Sequence, residues 1–92
     1  MTVRRWSYPP EFRAPLLAMG LDPRVDTPPA LVRDAVNDLY RFELRRLRDR
    51  LRAGQEAKAS YLDRVVALRK KYWLLTFQPD AWETICGEKH GE

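Results

Sequence analysis

Residues 27–54 read TPPALVRDAVNDLYRFELRRLRDRLRAG, and this stretch decides the fold. Thr27 is a good N-cap, and Pro28 and Pro29 fit first-turn positions whose N–H groups have no partner inside a helix. No breaker follows until Gly54, which stands where a left-handed C-terminal cap is wanted. The spacing predicts about 25 helical residues, roughly 37 Å of helix. Its later apolar positions, Tyr40, Leu44, Leu47 and Leu51, recur at intervals of four, three and four. Leu31, Val32, Ala35, Val36 and Leu39 widen the stripe earlier in the helix.

Downstream, Gly54-Gln55-Glu56 forms a short turn that favours an antiparallel return. A second helix starts between Glu56 and Ser60: Ser60 with Asp63 suits a capping-box start, but Ala57-Lys58-Ala59 also fits inside a helix. Its seam is Tyr61, Val65, Leu68, Tyr72 and Leu75, with Leu62, Val66 and Trp73 as a flanking stripe. Pro79 disfavours helical geometry at Gln78, so helix is expected to stop near Phe77. Asp80-Ala81-Trp82-Glu83 suits the capped start of a last short helix carrying Trp82 and Ile85 and ending at Gly87. Residues 88–92 are expected to fray. Upstream, six of the seven prolines fall within residues 9–29. There, Pro15 to Gly20 reads as a short helix and Leu21 to Asp26 as a stiff connector.

The expected fold class is all-α: an antiparallel hairpin of helices near 28–53 and 57–77, in one small domain. Residues 1–26 form a proline-punctuated arm, 27–78 the hairpin, and 79–92 a short helix and tail. Stripes this wide exceed what one partner helix covers. The arm, the Trp82 helix, a second copy of the chain or another protein must cover the rest. Three or four helices of one chain folding together is the first expectation; a dimer of hairpins forming a four-helix bundle is the second.

Composition excludes several classes. At 92 residues and 45% hydrophobic content, the chain supports a single core. One Cys and one His exclude a disulfide framework and a self-contained Cys/His zinc site, so no cofactor or metal is expected. Four glycines are too few for a nucleotide-cradling loop as well as ordinary turns. No run approaches the ~18 apolar residues of a membrane span. Met1 to Arg5 is followed by Trp6-Ser7-Tyr8-Pro9-Pro10 rather than an apolar segment, so a secretion signal is rejected and a cytoplasmic location is the default.

The net charge of +4 is unevenly spread. Residues 41–52 carry +4 and 53–79 carry +3, against −3 in 80–92. Arg41, Arg45, Arg48 and Arg52 repeat the leucine spacing one residue on, within about 60° of helical arc. One reading has their stems covering the seam while their heads pair with Asp38 and Asp49. The other has unpaired guanidinium groups that take an anionic partner, whose phosphates or carboxylates fit the arginine fork.

Two clusters interleave bases with aromatics, Arg4-Arg5-Trp6-Ser7-Tyr8 and Lys70-Lys71-Tyr72-Trp73, as single-strand binders do. Closure of a small core by these rings is the stronger expectation. Cys86 and His90, three residues apart, supply too few ligands for a metal site and lack an orienting acid for catalysis. No catalytic constellation emerges. The expectation is a non-catalytic interaction or assembly module, a homo-oligomer or small accessory subunit. Its candidate surface for an anionic partner is Arg41, Arg45, Arg48, Arg52, Lys70 and Lys71. The alternative is a nucleic-acid binder contacting phosphates through Arg41 to Arg52 with Lys70 and Lys71.

Overall fold

Proline opens three of the four α-helices. A computed structural model describes residues 5–87, and among these it contains helices and no strand. Helix α1 spans Pro10–Ala18, α2 Pro29–Arg52, α3 Lys58–Lys71 and α4 Pro79–Cys86, with a 3₁₀ helix at Trp73–Thr76. Proline costs no hydrogen bond at a helix start, because the first N–H groups have no acceptor within the helix. No helix start carries a side-chain cap.

The expected caps are therefore corrected. Pro28, not Thr27, is the N-cap residue of α2. Thr27 closes the preceding turn instead: its hydroxyl accepts from the Arg24 N–H at 3.0 Å, and its carbonyl accepts from the Tyr8 hydroxyl at 2.6 Å. Ser60 lies inside α3, and α4 starts at Pro79 rather than with a box at Asp80. Helix α1 begins at Pro10 and takes Pro15 into its interior. Pro15 deprives only the carbonyl of Glu11, an exposed residue, of its helical donor.

The glycine stops hold. Gly20 and Gly54 adopt φ of 85° and 74°. Beyond α1, Gly20 N–H donates to the Leu17 carbonyl and Leu21 N–H to Leu16; beyond α2, Gly54 donates to Leu51 and Gln55 to Arg50. Both are Schellman motifs, which require a left-handed residue at the glycine.

Helix α3 ends at Lys71, short of Phe77. Tyr72 leaves helical geometry and the chain tightens into the 3₁₀ helix. Distant side chains claim the carbonyls there. The Trp82 indole N–H donates to Leu74 at 3.0 Å, while Arg33 donates through Nε to Phe77 at 2.9 Å and through Nη2 to Leu75 at 3.1 Å. Carbonyls engaged from the side in this way need no partner along the helix axis.

The core collects at one end. Trp6, Tyr8, Phe12, Leu16, Val32, Val36, Tyr72, Leu74, Trp82 and Cys86 form one buried cluster. The arm is stitched into it by backbone bonds from Trp6 N–H to the Val25 carbonyl and from Ser7 N–H to Cys86, both 2.7 Å. Phe12 packs edge-on to Trp82 with centroids 4.9 Å apart.

Successive contacts follow α2 against the returning chain. Arg33 reaches Phe77, the Tyr40 ring lies 5.5 Å from Tyr72, and Glu43 meets Lys71. Partner numbers fall as α2 advances. Beyond Glu43 only Leu47 is buried on the distal parts of α2 and α3. The molecule measures 58 × 21 × 20 Å, with a radius of gyration of 16.4 Å. A compact domain of this length would have about 12 Å. The arm and α4 thus cover the proximal half alone, and Leu62 and Val66 stay 56% and 49% exposed.

Candidate functional site

Helical geometry places Arg41, Arg45, Arg48 and Arg52 on one strip of α2, and all four are exposed. None makes a hydrogen bond or ion pair with another described residue. The ion pairs present join Arg13 to Asp22, Arg64 to Glu56 and Lys71 to Glu43. Asp38 and Asp49, expected as local partners of the row, pair with none of it. Exposed pairs of this kind gain only about 0–1 kcal/mol, too little to hold long side chains in one geometry.

The two lysines lie elsewhere. Lys71 Nζ sits 3.1 Å from Glu43 Oε2 and 5.4 Å from the centre of the Tyr72 ring. Glu43 lies about 160° around α2 from Arg41, at 100° per residue, so Lys71 borders the opposite side of the helix. Lys70 is exposed on the outer side of α3. The structure gathers the arginine row and separates both lysines from it.

On the other side of α2, the Glu43 carboxylate is internally satisfied. The Tyr72 hydroxyl donates to the Glu43 carboxylate, which also accepts from Lys71. Burial by itself pushes the Glu43 carboxyl up. The hydrogen bonds from Tyr72 and Lys71, with the charges of Lys71 and Arg46, outweigh burial and hold its pKa below the ordinary 4.5. Burial, then the bond to Glu43 and its charge, pushes the Tyr72 phenol up. A groove of about 220 Å³ runs here between Glu43, Arg50, Arg64 and Lys71 over Leu47 and Leu68.

The arginine side has a different texture. Leu44 and Leu51 are half-buried at the foot of the row. Across from them, the helical wheel of α3 sets Val65 at the seam and Lys58, Leu62, Val66 and Arg69 further out. Between Tyr40 and Arg52 on α2 and Lys58 and Arg69 on α3, this side carries six bases, with Asp49 as the one acid at its edge, about 40° around α2 from Arg45. A cleft of about 220 Å³ opens at its proximal end, lined by Tyr40, Arg69, Tyr72, Leu75 and Thr76. Lys58 and Arg69 were missed in the sequence, where attention fell on the densest run of charge. A helical wheel of α3 would have found them.

Three rings of the aromatic clusters, Trp6, Tyr8 and Tyr72, close the core, and Trp73 does not. Trp6 and Tyr72 are buried. Trp73 is 38% exposed and stands edge-on to Phe12 and Phe77, with centroids 6.1 Å away in each case. Cys86 is fully buried, and burial raises its thiol to about 11, which disfavours the nucleophilic thiolate. His90 lies outside the described residues, as do Arg4 and the acidic residues Glu88 and Glu92. Among the described residues, no cluster of three or more His, Cys, Asp or Glu could hold a metal ion, and no helix is long and apolar enough to cross a membrane. Comparison of the chain with protein-family models, curated proteins and solved structures gives no match.

Proposed function

We propose that this chain is a non-catalytic protein-interaction or assembly module, in which α2 and α3 form an antiparallel hairpin that reaches out from a small core and offers its arginine-bearing side to a partner. One observation carries the reading. Four exposed arginines without an ion pair to any described residue share a strip of a helix pair whose distal half is covered by no other described element. A hairpin that served only its own core would have no need to extend beyond Tyr40 and Tyr72, where the buried cluster stops.

The test is site-directed crosslinking with a photoreactive residue at position 48, against the same residue at position 63 on the outer side of α3. The expected result is a discrete protein adduct from position 48 alone. An equal yield of adducts from both positions, or none from either, would overturn the reading.

A second reading, phosphate contacts to nucleic acid, is favoured by the same row. Its arginines span twelve residues, about 16 Å between the first and last Cα. Against it, Lys71 is engaged by Glu43, and Trp6, Tyr8 and Tyr72 beside the base clusters are buried, which leaves Trp73 as the exposed ring. Binding of this kind predicts affinity that falls linearly with log salt concentration and a shallower slope in R45A/R48A. Absence of binding to single- or double-stranded probes at low salt would exclude it.

A further inference from the structure

We infer that the occupant of the arginine-bearing side is an acidic amphipathic helix from a partner protein, lying lengthwise between α2 and α3 from Tyr40 to Leu51. This rests on the interaction reading above and names the chemistry of the partner.

Charge runs along α2 and apolar surface along α3, where Lys58 and Arg69 stand at the two ends of the apolar lane. Arg41, Arg45, Arg48 and Arg52 stand exposed along α2, while Leu62 and Val66 stand exposed along α3. Half-buried Leu44, Leu51 and Val65 lie between the lanes. A ligand that satisfies both needs carboxylates along one edge and aliphatic side chains along the other, in a body as wide as a helix. Helical residues three and four apart provide such edges. Twelve residues of α2 correspond to about three turns of a docked helix.

The same features discriminate among occupants. A second copy docking through this side would bring six further bases against six bases, with only Asp49 at the edge of each face to offset them, which like-charge repulsion disfavours. A phosphate backbone matches the arginines but has no use for Leu62 and Val66. An anionic bilayer requires apolar groups outermost across the polar–apolar boundary of one surface. Here the half-buried leucines of α2 sit inward of its arginines. An acidic helix is the one occupant for which both lanes form favourable contacts, with arginine forks suited to bidentate carboxylate bonding.

The experiment uses the full chain and three labelled peptides, each long enough for about four helical turns. One places leucines at helical spacing with glutamates elsewhere. The second has the same composition in scrambled order, and the third replaces glutamate with lysine. Fluorescence anisotropy at physiological salt is expected to show saturable binding of the first alone. Affinity falls at least about tenfold in R45E/R48E and likewise in L62S/V66S, a loss typical of interface anchors. R50A, on the other side of α2, binds as the parent does. Circular dichroism verifies that each variant folds.

Equal binding of the scrambled peptide would overturn the inference, since charge alone would then suffice. Displacement of the first peptide by a single-stranded oligonucleotide, or by anionic vesicles, at concentrations no higher than those of the unlabelled peptide would overturn it too. So would a dimer mass in light scattering that R45E/R48E abolishes. If the peptide fails while position 48 still crosslinks to a protein, the acidic helix is wrong and the interaction reading stands; if both fail, both readings fall.

Discussion

Arg33 joins α2 to the segment that ends α3, because its guanidinium serves two carboxy-terminal carbonyls at once. Hydrogen bonds from a charged donor are each worth about 1.5–3 kcal/mol, and both carbonyls lose their partner when the side chain is removed. R33A is expected to lower unfolding free energy by about 3 kcal/mol in urea titration, the low end for two such bonds because both are only part-buried, with R33K recovering part of it. An unchanged midpoint would mean that water replaces the guanidinium without loss. Gly54 makes a contrasting case. A Cβ there meets nothing within 4 Å, so the cost of G54A is that of the positive φ alone, about 1 kcal/mol. G54N is expected to cost less than G54A in the same titration, since asparagine tolerates the left-handed region.

Glu43 sets a pH dependence at the same scale. Its carboxyl has a lower pKa in the folded chain than in the unfolded one, so it contributes stability that is fully present above the unfolded value. That contribution is lost as pH falls through the folded value. The thermal midpoint is expected to drop more steeply in the parent than in E43Q between about pH 5 and pH 3. Parallel curves for the two proteins would refute the assignment. Arg33 and Glu43 were not singled out in the sequence as tertiary contacts. Each sits in an ordinary helical run, and what distinguishes them is a partner 28 to 44 residues away.

At the scale of elements, the glycine stops were legible, whereas the capped starts and the end of α3 were not. Gly20 and Gly54 stop their helices as expected because the requirement is intrinsic to a few successive residues. The end of α3 was misplaced because the periodicity of Tyr72 and Leu75 continues past Lys71, while the carbonyls beyond answer to Trp82 and Arg33. The distal parts of α2 and α3 rest on one buried side chain, Leu47, 2% exposed. L47A is expected to cost about 2–3 kcal/mol, at the low end for such truncations because the site is near solvent. The loss should be local. Amide exchange should accelerate at residues 44–52 and 61–68 far more than at 32–40; uniform acceleration would show that the distal pair unfolds only with the core.

For the whole molecule, the elongated shape is the property with most bearing on function. Ten buried side chains gather at one end, and the helices run on past them. Small-angle scattering of the dilute chain is expected to return a radius near the 16.4 Å of the Cα trace, plus a hydration increment. A value near the compact expectation of about 12 Å would mean that the distal pair folds back in solution. The candidate site was half legible. The arginine row follows from spacing along one helix, whereas the separation of Lys70 and Lys71 from it follows from how α3 turns its faces.

The sequence by itself determined that the chain is helical, where two helices stop, and that the arginines form a strip. Each of these depends on residues within a few turns of one another, where rotation per residue and backbone sterics are fixed. Only the tertiary structure decided which aromatics close the core, where α3 gives way to a 3₁₀ helix, and which bases share a side. Those outcomes depend on buried hydrogen bonds and packing between residues far apart in the chain, and a local pattern carries no record of them.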